Sequence, residues 1–303
     1  MRYLATIFLF LSFVLATDVV LAQQNLWQNE GVTSPELCED GSVVFRYFAP
    51  NAESVEVVGD FASGAQSMTM REDGVWEFIT EPLASEYYTY TFTVDGNGGI
   101  LDRSNVYTVR DVGSVMNYFI VGGGRGDMYK AQAVPHGAVS RVWMTTEESS
   151  RRMTVYTPAG YEAGYRNYPV LYLLHGMGGD EEAWVATGRM AEIMDNLIAE
   201  GKCEPFIIVM AYGLTNEVGW GKLGEFDFTR FERVLVDELV PYVDSHFKTI
   251  AKKDGRAMAG LSMGGMETKN ITLARPEVFS YYGLLSGGTY APEDIESKDQ
   301  VKV

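Results

Sequence analysis

A doubly wound α/β domain with a mainly parallel sheet, preceded by a small antiparallel β-sandwich, is the fold class that this 303-residue chain predicts. Three observations carry the prediction. Up to about Val121 the chain holds short apolar segments of period two, separated by turn residues. Beyond about Val139, continuous apolar runs alternate with segments of helical period, as in a parallel sheet with helices on both faces. One of those runs leads straight into Gly260-Leu261-Ser262-Met263-Gly264, a serine on a glycine-flanked turn between strand and helix.

The first element is not part of the fold. Arg2, an apolar run over residues 3–16 and the small residue Ala22 describe a signal peptide over residues 1–22. The run is too short to span a bilayer, and Asp18 interrupts any longer version. No cysteine directly follows Ala22, so a secreted or periplasmic protein without stable membrane association is expected. A net charge of −17 excludes nucleic acid as a partner, since phosphates demand basic grooves. Cys38 and Cys203 fall in different domains and are expected as unpaired thiols. The three histidines are scattered, so neither a metal site nor a cofactor is predicted.

Residues 30–121 form the predicted sandwich. Tyr88, Tyr90, Phe92 and Val94 alternate with Thr89, Thr91 and Thr93; Val43, Phe45 and Tyr47 begin a similar strand, and Val55 and Val57 another. Pro50-Asn51, Glu72-Asp73-Gly74 and the glycine-rich run 95–99 supply the turns. Trp76, Tyr87 and Tyr107 are candidates for stacking on sugars, with core packing the plainer role. Residues 122–138 read as a linker. The triple glycine 122–124 predicts a flexible junction, and Arg125-Gly126-Asp127 is a chance triplet within it. In the α/β domain, residues 139–303, strands are expected over 152–157, 169–174, 205–211, 256–260 and 279–285. Met190, Ile193, Met194, Leu197 and Ile198 recur at helical spacing, which makes both methionines core residues. Phe231, Val234, Leu235, Leu239 and Val243 mark a second helix, with a kink expected at Pro241.

The chemistry centres on Ser262. A serine in this setting is a nucleophile elbow, and the glycines on either side admit two backbones too close for side chains. A serine hydroxyl is inert at neutral pH without a base to take its proton. In α/β-hydrolases the acid and then the histidine follow the serine, whereas His136, His175 and His246 all precede it. His175-Gly176-Met177-Gly178-Gly179 follows a predicted strand and reads as an oxyanion loop, with the N–H groups of Met177 and Met263 as the donors. His175 is expected to hold that loop in shape. His246 reads as a cation at a helix C-terminus, and the sequence offers His136 no partner. Trp184, Tyr212 and Trp220, on loops after strand ends, are candidates for an aromatic acyl pocket.

The runs LYLLHGMGGDEEAW, MAEIMDNLIAEGK, FIIVMAYG and RAMAGLSMGGMET together resemble carbohydrate esterase family 1, most of all its secreted bacterial feruloyl and acetylxylan esterases. FRYFAPNAESVEVVGDF, GVWEFIT and YTYTFTVDG are similar, more loosely, to family-48-type carbohydrate-binding modules. The resemblance implies an α/β-hydrolase that cleaves feruloyl or acetyl esters of arabinoxylan through an acyl-enzyme on Ser262. Members of the family carry a further strand, an acid and a histidine after the equivalent of Val303. Glu293, Asp294, Glu296 and Asp299 crowd a polar segment, and none is assigned as the acid. Residues 300–303 read as the opening of that next strand, so the chain is expected to be a C-terminally truncated, incomplete hydrolase, inactive alone, with an evolved pseudoenzyme as the alternative. The other functions considered are a non-catalytic glycan-binding protein, a siderophore esterase and an acyltransferase.

Overall fold

A computed structural model of the chain describes residues 32–111, 113–145, 150–213, 225, 227 and 230–294. The signal-peptide segment, Trp220, Glu296, Asp299 and residues 300–303 lie outside the described residues.

The sandwich is built from β1 (Glu36–Leu37), β2 (Val43–Phe48), β3 (Val55–Gly59), β4 (Gln66–Ser67), β5 (Thr69–Met70), β6 (Val75–Ile79), β7 (Tyr87–Val94), β8 (Asn97–Ile100), β9 (Thr108–Asp111) and β10 (Ser114–Ile120). One sheet runs β1-β2-β6-β5 and the other β4-β3-β7-β10-β9, with β8 on β7, and every pairing is antiparallel. The period-two reading of β7 holds: Tyr90 and Phe92 are buried between the sheets with Phe45, Val57 and Phe119. Trp76 is a core residue whose indole N–H donates to the Ala49 carbonyl at 2.9 Å. Tyr87 stacks on Tyr118 with ring centroids 5.0 Å apart, whereas Tyr107 stays exposed.

The expected flexible junction is instead a built connection. Residues Arg125–Tyr129 form a 3₁₀ turn, and Asp127 Oδ2 accepts the N–H groups of Gly123 (3.0 Å) and Gly124 (3.2 Å). Gly126 is buried and donates its N–H to Ser85 Oγ at 3.0 Å, so Gly126 and Asp127 of the Arg-Gly-Asp triplet serve the turn itself. His136, for which the sequence named no partner, bonds Asp195 Oδ2 through Nδ1 at 2.9 Å. The glycines serve close packing here, which composition cannot tell from looseness.

The second domain contributes β11 (Ala138–Thr145), β12 (Ser150–Thr157), β13 (Val170–Leu174), β14 (Ile207–Ala211), β15 (Arg256–Leu261) and β16 (Tyr281–Leu285) in the order β11-β12-β14-β13-β15-β16. The sheet is parallel from β14 through β13 and β15 to β16, and antiparallel where β11 and β12 close its other edge. Its helices include α1 (Ala183–Ala186), α2 (Met190–Ala199), α3 (230–246) and α4 (Met263–Ala274). The central strands bury both faces. Val170, Tyr172 and Leu174 pack against α3 residues Phe231, Leu235 and Leu239, while Leu173, Ile208 and Met210 meet Met190 and Met194 of α2. Both methionines are therefore core, as their spacing required. In α3, residues Val234–Leu239 wind as a π-helix just before Pro241. Proline lacks the N–H that would close an α-turn, and the turn before it is widened.

Candidate active site

Ser262 joins β15 to α4 at φ 53° and ψ −108°, a left-handed conformation that costs a non-glycine residue strain. Its surroundings enforce that angle. A Cβ on Gly260 would lie 2.2 Å from the Gly264 carbonyl carbon, and one on Gly264 would lie 2.7 Å from the His175 carbonyl oxygen. The Ser262 N–H donates to Leu285 O at 2.7 Å, and Ser262 O accepts from Met266 N–H at 3.0 Å. A third support escaped the sequence reading. Residues 286–288, just past β16, press on the elbow so closely that a Cβ on Gly287 would lie 2.5 Å from Ser262 O. The legible signal was a glycine pair directly after the last strand.

Ser262 opens into a cleft of about 360 Å³ whose lining includes Gly176, Met177, Trp184, Arg110 and Asp111. Met177 and Ser262 are thus brought to one site, as their motifs required. Met263 is the first residue of α4, where the backbone N–H has no acceptor within the helix. Trp184 lines the cleft from the short helix α1 rather than from a loop, its indole N–H donating to Leu174 O at 3.0 Å. Tyr212 is not among the lining residues; it stacks on the His175 ring at 5.5 Å between centroids.

The segment after the 175–179 loop is tied down by three consecutive acids. Glu181 pairs with Arg152, and Glu182 with Arg141 at 2.9 Å and with the Thr154 hydroxyl at 2.7 Å. Asp180 faces Arg110 at 3.8 Å. His175 is buried, with Nδ1–H donating to Gly176 O at 2.7 Å and Nε2 accepting from Gly213 N–H at 3.2 Å. Burial pushes its pKa below the usual histidine value, so it is neutral at pH 7 with both ring nitrogens engaged. It ties the 175–179 loop to the segment just after β14 and has no lone pair left to act as a base. His136 bonds Asp195 and the Gln132 carbonyl, and His246 ends α3 stacked on Tyr242 at 3.9 Å. Asp294 is held by Lys269 at 2.7 Å, away from any histidine partner among the described residues.

Residues 145–296 match the family described as "Putative esterase", which covers half of the chain. The chain belongs to this esterase family. Residues 31–110, within the sandwich, match "Carbohydrate-binding module 48 (Isoamylase N-terminal domain)". Over 92% of its length the chain is 42% identical to an endo-1,4-beta-xylanase/feruloyl esterase of Xylanibacter ruminicola, of which it covers 39%. An esterase of Mycobacterium tuberculosis is 35% identical over 52% of the chain and 34% of that protein. The chain therefore spans well under half the length of these two curated relatives. Among solved structures, the enterobactin esterase FES of Shigella flexneri, in the presence of enterobactin, aligns with 86% of this chain and 75% of that one. The TM-score is 0.61 at 18% identity, a likeness of fold.

One group of the esterase domain stands out chemically. Glu267, on α4, is fully buried, and neither carboxylate oxygen has a hydrogen-bond partner among the described residues. A Cβ on Gly213 would lie 2.7 Å from Glu267 Oε2, so the carboxyl sits behind the loop that His175 holds. Desolvation raises its pKa well above the carboxylate range and keeps it protonated. Below that range both folded and unfolded chains carry the proton. As pH rises above it, the unfolded carboxyl ionises first, and stability falls by about 1.4 kcal/mol per pH unit until the folded pKa is reached. Glu267→Gln is expected to remove this loss, so that its Tm advantage over wild type widens as pH rises above the ordinary carboxylate range in thermal melts. A pH-independent Tm difference would contradict the assignment.

Proposed function

We propose that this chain carries the nucleophile of a secreted serine esterase that hydrolyses feruloyl or acetyl esters on plant cell-wall polysaccharide, arabinoxylan in the first instance. The observation that carries the reading is Ser262 itself, held at a strained φ of 53° and opening beside Met177 into a cleft. In the proposed reaction Ser262 Oγ attacks the ester carbonyl and a histidine takes its proton. The N–H groups of Met177 and Met263 receive the oxyanion. The sugar hydroxyl leaves with the proton, and water then attacks the acyl-enzyme. The name of the Xylanibacter relative and the match to a carbohydrate-binding module support a polysaccharide ester as substrate. The two-domain likeness to an enterobactin esterase keeps a siderophore ester as the second reading, with the same chemistry on a different alcohol.

The base is the distinctive part of the proposal. His175 has both nitrogens engaged, His136 is bound to Asp195, and His246 is stacked at the end of α3. The proton acceptor in the proposed reaction is therefore none of these three histidines. Loss of the triad base leaves roughly 10³–10⁴-fold catalysis over water from binding and the oxyanion hole. The 303-residue chain alone is expected to turn over p-nitrophenyl acetate negligibly, whereas the full-length gene product hydrolyses it together with methyl ferulate. Robust turnover by the chain alone, abolished by Ser262→Ala, would sink this account of the base.

A further inference from the structure

The cleft at Ser262 is not confined to the esterase domain. Its lining includes Arg110 and Asp111, which end β9, the edge strand of the sandwich. The strand is held there by two contacts with the segment between β13 and α2. Thr187 Oγ1 donates to the Arg110 carbonyl at 3.2 Å, and the Arg110 guanidinium faces the Asp180 carboxylate at 3.8 Å. That ion pair is loose, and the Arg110 side chain remains 57% exposed. Its fork of donors stays available to a ligand.

The two domains present different chemistry to this cleft. Met177, Ala183 and Trp184 give an apolar wall, and Arg110 and Asp111 give a charged one. An aromatic acyl group matches the first. The second pairs a group that only donates with a neighbour that only accepts, and adjacent sugar hydroxyls, each both donor and acceptor, satisfy such a pair. A free anion is a poorer match, because Asp111 would repel it.

Building on the esterase reading above, we propose that Arg110 and Asp111 of the sandwich bind the sugar leaving group of the ester while it reacts at Ser262. The sandwich is then a wall of the active site, and selectivity for glycosyl over simple alkyl esters resides in its edge strand. Hydrogen bonds to charged groups of this kind are each worth roughly tenfold in discrimination.

The test compares kcat/KM of the full-length gene product on a feruloylated oligosaccharide and on methyl ferulate, for wild type, Arg110→Ala and Asp180→Asn. Arg110→Ala is expected to lower the ratio of oligosaccharide to methyl ester by about tenfold or more. Asp180→Asn removes the ion pair but leaves Arg110, so it should keep the ratio; this separates sugar binding from mere support of the oxyanion loop. A wild-type ratio in Arg110→Ala, or an equal fall of the ratio in both variants, overturns the inference. A wild-type protein inactive on both esters overturns the esterase reading, and this one with it.

Discussion

Ser262→Ala in the full-length gene product is expected to lower kcat for methyl ferulate by about 10⁶-fold, the scale on which removing a triad serine acts. Alanine keeps the backbone geometry and removes only the hydroxyl, which is exposed in the cleft and fixed by no hydrogen bond among the described residues. The Tm should therefore stay within a degree or so of wild type, since no buried partner is orphaned. Steady-state kinetics beside a thermal melt separate the two effects. A variant keeping more than a few per cent of wild-type turnover would place the nucleophile elsewhere.

The second large effect falls on the fold. Gly260→Ala brings a methyl group to 2.2 Å from the Gly264 carbonyl carbon and 2.3 Å from its oxygen. Both are backbone atoms, and Gly264 cannot retreat because it packs against Leu174 and the His175 carbonyl, where a Cβ of its own would have only 2.7 Å. The strand-to-helix turn would have to open. A cost above about 3 kcal/mol follows, or a fall in Tm of roughly 6–12 °C for a domain of this size, together with loss of activity. Gly113→Ala is the matched control: nothing lies within 4 Å of its added Cβ, and it should change stability by less than about 0.5 kcal/mol. Equal Tm values for the two variants would contradict the close-packed elbow.

The legible parts of this molecule were those where one element carries its own pattern. Strand β7 alternates in sequence because one face of it is buried, and α2 shows its core face in Met190 and Met194. The positions of Ser262, at a strand-to-helix turn, and of Met177, beside it in the cleft, were legible because their motifs are short and local. The edge strand β11 went unread because most of its residues are exposed, which leaves no hydrophobic period to detect. The junction was misread because glycine composition marks loose chain and tight packing alike. Its order comes from Asp127 within the junction and from Ser85 and Asn196, which are distant in sequence. Arg110 and Asp111 were missed for a related reason: they enter the cleft only because two domains dock, and docking leaves no trace in local spacing. Tyr212 was assigned to the cleft from its place after a strand end, yet the ring turns onto His175 and supports the loop from behind.

In the proposed reaction Ser262 is an activated nucleophile whose base is none of the three histidines of this chain. Its most direct test is the labelling rate of a fluorophosphonate probe, mapped by peptide mass spectrometry, on the full-length gene product and on the 303-residue chain. Fast, stoichiometric modification of Ser262 is expected in the full-length gene product, and slow labelling in the 303-residue chain. Modification of a different residue, or equally fast labelling of Ser262 in both, would contradict it.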